Sequence, residues 1–400
     1  MSNTLLTIDQ ITRKALVVLH QKLNFIGNID RQHEASFGNE GRQIGDSIRI
    51  RLPNQFTVRT GQVWSAPAIV EQSVNLTVNR YRGVDMNFSD QDLALRVEDF
   101  TARHIEPAMS ALASHIENDA MSMFNSVYQA VNNVGAPIGT RQVGQARKLL
   151  TDALAPNGDR TLILNTQDNL DYIDAVKGLF QDSASIAKQY REGMTGRSAG
   201  FDVYENTLIP TPTTGTMPAL TAMTVSGAGQ TGSTVNIVAA GANTTTLAVG
   251  DVVTLAGCFR VHPETKQSTG DLQQFVVTAP FTANGTTPAA LSISPAIVIT
   301  GARQNVSASP SNTGAVAKIG GASAVYRPSV AFHRDAFTFA TADLPLPKGT
   351  DMAARKVMDG ISMRMIRDFD SVNARFITRL DVLYGYTAQR PELAARILSN

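Results

Sequence analysis

The sequence predicts an α+β fold that carries an inserted all-β domain. Three observations predict it: a helix–strand–helix–strand run between Thr140 and Tyr204, an abrupt change of composition at Thr211, and a return of the earlier style after Tyr326. Bulk properties agree with a folded chain of several parts. Its 400 residues suffice for two or three domains and a sizeable core. Hydrophobic residues make up 43% and charged residues 17%, which is too apolar for a disordered chain. Lys plus Arg number 35 against 34 Asp plus Glu, so no global field favours nucleic acid or a cationic ligand. A single Cys excludes an intramolecular disulfide framework and a multi-thiolate metal site. The sequence shows no secretory h-region and no run that approaches a membrane span. A soluble protein of a reducing compartment is expected.

Residues 7–23 read as a short amphipathic helix. Thr7 and Gln10 have capping-box spacing, and Ile8, Ile11, Ala15, Val18 and Leu19 recur at helical intervals. The stretch to Ile44 has no sustained period and reads as an arm. From Gly45 to Phe88 the chain looks extended: Ile48, Ile50 and Leu52 alternate with Arg49 and Arg51, and Val74, Leu76 and Val78 share a face. Pro53, Gly61 and Pro67 break this stretch into a long hairpin with too little apolar mass for a core. Ile105, Met109, Leu112, Ile116, Ala120, Met123 and Val127 then mark one helical stripe. A helix from Asp99 to Tyr128 would be roughly 45 Å long, with Pro107 in its first turn or at a kink. Residues 140–155 form a second expected helix, 161–164 a strand, 166–180 a third helix capped by Thr166, and 201–204 another strand.

Between Thr211 and Val325 the only charged residues are Asp251, Arg260, Glu264, Lys266, Asp271, Arg303 and Lys318. Short apolar runs at 223–225, 235–238, 251–255, 275–278, 291–293 and 297–299 are separated by turn residues. That pattern predicts a barrel or sandwich able to fold alone. Residues 330–340, 361–366 and 374–386 read as strands in the earlier style, so the β block is an insertion.

Two catalytic signatures match in letters and fail in context. Gly227, Gly229 and Gly232 fit G-x-G-x-x-G, but a strand pattern follows where a dinucleotide site needs a helix N-terminus. Gly196-Arg197-Ser198-Ala199-Gly200 fits G-x-S-x-G, but Ser198 lies in a Gly-rich loop feeding a strand, where a nucleophile elbow feeds a helix. His262 and His333 are available as bases, with nothing in the sequence to place them. The six His include no i, i+4 pair, and Cys258 reads as a small buried hydrophobe. Asp168 and Asp171 read as solvated or dipole-facing helix carboxylates.

The order of parts is more informative than any motif. A short arm, a long hairpin, one long helix, an α/β unit and a return into long strands resembles the major capsid protein fold of tailed double-stranded-DNA bacteriophages, the herpesvirus-type capsid fold. Local segments sharpen the likeness to the short-tailed-phage coat proteins that carry an inserted β-barrel. Ala199-Gly200-Phe201-Asp202-Val203-Tyr204 resembles the segment before their insertion. Gly250-Asp251, Val261-His262-Pro263-Glu264-Thr265-Lys266 and Leu272-Gln273-Gln274-Phe275-Val276-Val277 are similar to the insertion itself. Ala331-Phe332-His333-Arg334-Asp335-Ala336-Phe337 resembles the return strand, and Leu383-Tyr384-Gly385-Tyr386 through Arg390-Pro391-Glu392 the C-terminal strand and its ending.

The resemblance implies an N-terminal arm (1–44), an extended hairpin or E-loop (45–88), and the spine helix of a peripheral domain (89–130). It further implies an axial domain (131–210 and 326–350), the inserted barrel (211–325) and peripheral-domain strands (351–400). The implied role is a structural major capsid protein without catalysis or cofactor, assembling with a scaffolding protein into hexamers and pentamers of an icosahedral shell. Implied partners are a portal protein and packaged double-stranded DNA, held on the inner face without sequence specificity, and no membrane. The implied location is the virion, with assembly in the host cytoplasm. Competing readings are a serine hydrolase built on Ser198 and a virion adhesion or decoration protein. Candidate inter-subunit contacts are Arg49, Arg51, Arg59, Arg80 and Arg82 against Glu98, Asp99 and Glu106, with a solvated hairpin face as the alternative. In the barrel the candidates are Asp251, Glu264, Lys266 and Asp271, with turn or surface roles as the alternative.

Overall fold

The computed structural model describes residues 12–13, 15–17, 23–32, 47–59, 61–62, 71–89, 105–176, 196–218, 223–239, 244–285, 287–350, 352–358, 361–371 and 375–399. In chain order the first elements are α1 (Asn24–Gly27), β1 (Ser47–Arg51), β2 (Ser73–Thr77), β3 (Arg80–Ser89) and α2 (Glu106–Met121). Next come β4 (Ala130–Asn132), α3 (Thr140–Asp152), β5 (Arg160–Leu164), α4 (Thr166–Val176), β6 (Arg197–Ser198) and β7 (Phe201–Glu205). Eight strands fill the low-charge block: β8 (Met223–Val225), β9 (Gly232–Ala239), β10 (Thr244–Leu247), β11 (Val252–Val261), β12 (Ser268–Val277), β13 (Phe281–Asn284), β14 (Ala289–Ile297) and β15 (Ala315–Lys318). The remainder is β16 (Ser329–His333), β17 (Thr338–Ala342), β18 (Met352–Met358), β19 (Ile361–Asp370), β20 (Arg375–Thr387) and β21 (Ala394–Leu398). The chain divides into one unit of residues 1–50, 73–121 and 337–389, and another of 51–72, 122–336 and 390–400.

In the first unit, β20 organises a five-stranded antiparallel sheet in the order β17-β20-β19-β18, with β3 on the other side of β20. β3 pairs along its whole length, from Arg80 opposite Tyr384 to Ser89 opposite Arg375. The hairpin expected over 45–88 is therefore shorter, because its last ten residues belong to this sheet. Its base, β1 paired with β2, buries Ile50, Leu76 and Val78 against Ala340, Ala342, Leu344 and Leu383. The base thus finds apolar partners in its own chain. Gly385 permits this approach, since a Cβ there would lie 2.1 Å from the Thr77 carbonyl oxygen.

Helix α2 buries Met109, Leu112, Ala113, Ile116 and Ala120 along the predicted stripe. Its 16 residues span about 24 Å, and it ends at Met121, before the expected Tyr128, where Ser122–Ser126 tightens into a 3-10 turn. Ser126 Oγ donates to the Met123 carbonyl there, the kind of side-chain competition that weakens Ser in helices. Pro107 sits in the first turn, where its missing N–H costs nothing. The start expected at Asp99 lies outside the described residues, as does most of the 7–23 helix, of which 12–13 and 15–17 are helical. Arm residues 23–32 pack within this unit: Asp30 bridges to Thr338, and Phe25 meets Phe337 edge-on at 5.5 Å.

In the second unit a six-stranded mixed sheet runs β4-β21-β16-β5-β7-β6. Val143, Ala146 and Leu150 form the buried face of α3. Asn165 caps α4, its Oδ1 accepting the Asp168 N–H at 2.7 Å, one residue before the expected Thr166 cap. Asp168 is buried and not solvated; Ser329 Oγ, Ser399 Oγ and Asn165 Nδ2 donate to its carboxylate. β21, expected among the peripheral strands, instead lies between β4 and β16 in this sheet.

The low-charge block closes as a barrel, β11-β12-β14-β9-β8-β15, and β10 pairs with β13 beside it. Val235, Ile237, Leu255, Phe275, Leu291, Ile293 and Val316 fill its interior together with Cys258, whose thiol burial pushes up to about 11. The expected runs at 291–293 and 297–299 are parts of one strand region, with β14 ending at Ile297. The two ends of the block meet where Thr213 pairs with Val325.

The strand expected over 330–340 is broken by a 3-10 turn at Arg334–Ala336. His333 makes the break, its Nδ1 accepting the Asp335 N–H at 3.2 Å. Burial holds the imidazole below its ordinary value near 6.5, outweighing the nearby Asp335 and Asp159 carboxylates, which act the other way. Its contribution to stability is therefore present above pH about 6.5 and lost as pH falls toward the lowered folded value. Thermal melts between pH 5 and 7.5 should show His333→Asn with a flatter pH dependence than wild type. A steeper dependence in the variant would mean that the carboxylates prevail over burial.

Candidate subunit-contact surfaces

The hairpin arginines divide into two groups. Arg80 and Arg82, at the start of β3, are engaged with α2 of their own chain. Arg80 Nη1 donates to both Asp119 oxygens, at 2.8 and 3.0 Å, and its guanidinium lies 4.5 Å from the Tyr386 ring centre. Tyr384 and Tyr386 donate their phenol hydrogens to the same carboxylate at 2.7 and 3.1 Å. Burial and the Asp119 charge push the Tyr384 phenol well above its ordinary range, keeping it a donor. Arg82 Nε donates to His115 Nε2 at 2.9 Å. These two arginines thus meet α2 inside one chain, at residues the sequence reading had not singled out as contacts. The signal that could have found Asp119 is its place on α2, three residues after Ile116 of the apolar stripe.

Arg49 and Arg51 are exposed on β1, and Arg59 is exposed beyond it. Arg49 Nε reaches across the ladder to Ser73 Oγ at 2.6 Å, and Arg59 Nη1 donates to the Gln62 carbonyl at 2.8 Å. Beyond β1, where Leu52 N–H donates to the Gln72 carbonyl at 2.9 Å, the chain carries Phe56, 68% exposed, and Val58, 93% exposed. Large apolar side chains held this openly on a projecting segment mark an interaction site more often than solitary surface residues do. Glu106 is exposed in the first turn of α2, and Glu98 and Asp99 lie outside the described residues.

The four barrel candidates differ in kind. Asp251 is 3% exposed and accepts the N–H groups of Gly215 and Ala248 at 3.0 and 2.9 Å, so it takes the turn role and offers no surface to a neighbour. Lys266, at φ 58°, donates to the Gln304 carbonyl at 3.3 Å, and burial lowers its ammonium pKa. Asp271 pairs with Lys148 of α3 at 3.0 Å. Glu264 is exposed in the turn that His262 closes by accepting the Glu264 and Thr265 N–H groups.

The catalytic signatures resolve into turns. Ala199 and Gly200, both at positive φ, form the two-residue connection between β6 and β7, so a strand follows Ser198. Ser198 Oγ is hydrogen-bonded to Tyr172 Oη at 2.7 Å. Gly227, Gly229 and Gly232 shape the β8–β9 turn, which Gln230 ties together by accepting the Asn236 N–H. Among the described residues no group of His, Cys, Asp and Glu side chains is arranged to hold a metal ion.

The family described as P22 coat protein, gene protein 5, matches residues 34–398. No curated protein is a significant match. Among solved structures, the chain is similar to one of Mycobacterium phage Che8, at 13% identity and a TM-score of 0.46, covering 92% of this chain and 89% of that one. It is also similar to the mature capsid of bacteriophage PhiM1, at 11% identity and a TM-score of 0.41, over 89% and 84%. The CUS-3 coat protein I-domain matches at 28% identity and a TM-score of 0.18, covering 24% of this chain and 94% of that one. The chain belongs to the P22 coat protein family. It is a structural major capsid protein of a bacteriophage virion. No helix among the described residues is long and apolar enough to cross a membrane.

Asp119→Asn removes the charge that accepts these four hydrogen bonds. It should lower the stability of the first unit by about 1–3 kcal/mol, read as a shift of its denaturant midpoint. An unchanged midpoint would show that the cluster does not hold α2 to the sheet.

Proposed function

We propose that the exposed hairpin segment, carrying Phe56 and Val58, is the contact by which one subunit is held to the next in the shell. The observation that carries this reading is the contrast within one hairpin. Its base is packed on the subunit's own sheet, while two large apolar side chains further along stay in water. Covering each of them on a neighbour stabilises the contact by about 1.5–3 kcal/mol, and a shell repeats that gain at every subunit. Arg49, Arg51 and Arg59 then pair at the rim with acidic residues of the adjoining copy, such as Glu98, Asp99 and Glu106. Exposed pairs of this kind fix register more than they add affinity. Glu264, on the exposed barrel turn, is the barrel residue best placed to meet a neighbour.

The same reading extends to partners. A scaffolding protein docks on residues before Asn24 during assembly in the host cytoplasm, a portal protein occupies one vertex, and double-stranded DNA fills the interior without sequence-specific contacts. The role involves no catalysis: the one hydrolase signature lies in a hairpin turn with a tyrosine as the serine's partner.

The double variant Phe56→Ser, Val58→Ser tests the contact. It should keep the wild-type circular dichroism spectrum and melting temperature, yet sediment as free subunits under conditions where wild type forms shells. Shells at wild-type yield from that variant would sink the proposal.

A further inference from the structure

Asp251 stands where four pieces of the second unit meet. Its Oδ2 takes the Gly215 N–H on the segment entering the barrel and the Ala248 N–H on the turn before β11. The Gly215 carbonyl in turn accepts from Lys318 Nζ at 2.8 Å, and the same ammonium donates to Gly321 on the segment leaving the barrel, also at 2.8 Å. Entering and leaving segments are stitched directly as well. Thr214 N–H donates to the Ala324 carbonyl, and Ala324 N–H to Thr214 Oγ1, both at 2.9 Å. From the sheet side, Arg396 on β21 sends Nη2 to the carbonyl of Gly250, the residue next to Asp251, at 2.8 Å.

The charges at this junction are unusual. Lys318 and Arg396 are 3% and 1% exposed, and the carboxylate whose charge acts on both is Asp251, itself 3% exposed. Burial pushes the Arg396 guanidinium down to about 10 and lowers the Lys318 ammonium, while the Asp251 charge acts in the opposite direction on both. Arg396 Nε has no hydrogen-bond partner, so counter-charge matters more to this side chain than saturation of its donors. Around the group, Ala130, Val252, Tyr326 and Leu398 form an apolar cluster that keeps water out. Beside it, the Gln274 side-chain amide exchanges two hydrogen bonds with the backbone of Ala130 on β4, at 2.7 and 2.9 Å. The other barrel attachments are weaker by comparison: Lys148–Asp271 is exposed and Arg260–Asp152 spans 3.9 Å.

We propose that Asp251 is a charge clamp that fixes the barrel on the six-stranded sheet, positioning the barrel and not maintaining its internal fold. The barrel interior is a separate apolar cluster closed by its own ladder, and of the clamp's side chains only Lys318, the last residue of β15, belongs to the wall. Removing the carboxylate takes a favourable charge away from two buried cations, a state that the joint relieves by opening to water. The inference stands on the geometry of this unit alone, whether or not the barrel touches a neighbouring subunit.

Hydrogen exchange of the full chain, read by mass spectrometry, separates the two roles. In Asp251→Asn, peptides covering 213–217 and 321–326 should exchange at least tenfold faster, while peptides covering 232–239 and 289–297 in the barrel wall keep wild-type protection. Adding Arg396→Met removes one of the stranded cations, so the double variant should regain part of the joint's protection. Unchanged exchange at the joint overturns the proposal, as does barrel-wall protection lost in step with it or a double variant looser than Asp251→Asn alone. If Asp251→Asn does not fold, Arg396→Met by itself carries the test. The clamp predicts loosening confined to the joint, and loosening that spreads through the barrel wall contradicts it.

Discussion

The Asp119 carboxylate gathers donors from Arg80 on β3 and from Tyr384 and Tyr386 on β20, and it sits on α2. Those contacts fix the two neighbouring strands to the helix at the point where β3 begins. Because β2 ends at Thr77 and β3 starts at Arg80, the hairpin can only leave the sheet from that point. Gly385, one residue from both tyrosines, lets Thr77 lie directly on β20. A half-buried ion pair with two phenol donors is well suited to the task, since its directional bonds fix orientation where apolar packing alone would allow sliding.

A second constraint comes from the insertion. Residues 214–324 can be carried on a sheet only if their ends return to one place, and Thr213 opposite Val325 meets that condition. The sheet is then completed by strands far apart in sequence, with β21 inserted between β4 and β16. Such non-local pairing makes the second unit depend on residues that by composition alone would not form strands. Ala394-Ala395-Arg396-Ile397-Leu398 has helical propensity, and only its two flanking strands hold it extended.

Much of this was legible in the sequence wherever a period survives local context. The alternation of Ile48 and Ile50, the stripe from Ile105 to Ala120, and the short β runs of the low-charge block all reappear as elements. Boundaries failed where side chains compete with the backbone: Ser126 in the tightened end after α2, Asn165 as the cap ahead of Thr166, and His333 at the break in the return strand. β18 was illegible because Met-Ala-Ala-Arg-Lys-Val-Met favours a helix and is a strand only through β19. Of the hairpin arginines only Arg80 and Arg82 meet the long helix, at Asp119 and His115, because the strand that carries them pairs with β20 of the same chain. Asp251 was singled out as a rare charge in a neutral block. That rarity reflects burial among Lys318 and Arg396, a relation visible only once residues 251, 318 and 396 are brought together.

The account's central claim is that this subunit leaves part of its hairpin uncovered so that a neighbour covers it. An electron cryomicroscopy reconstruction of assembled particles, at a resolution that shows side chains, tests it most directly. The account predicts Phe56 and Val58 buried against an adjoining subunit, with Arg49, Arg51 and Arg59 at the edge of the same contact. Density placing both side chains in solvent in every subunit of the shell would contradict it.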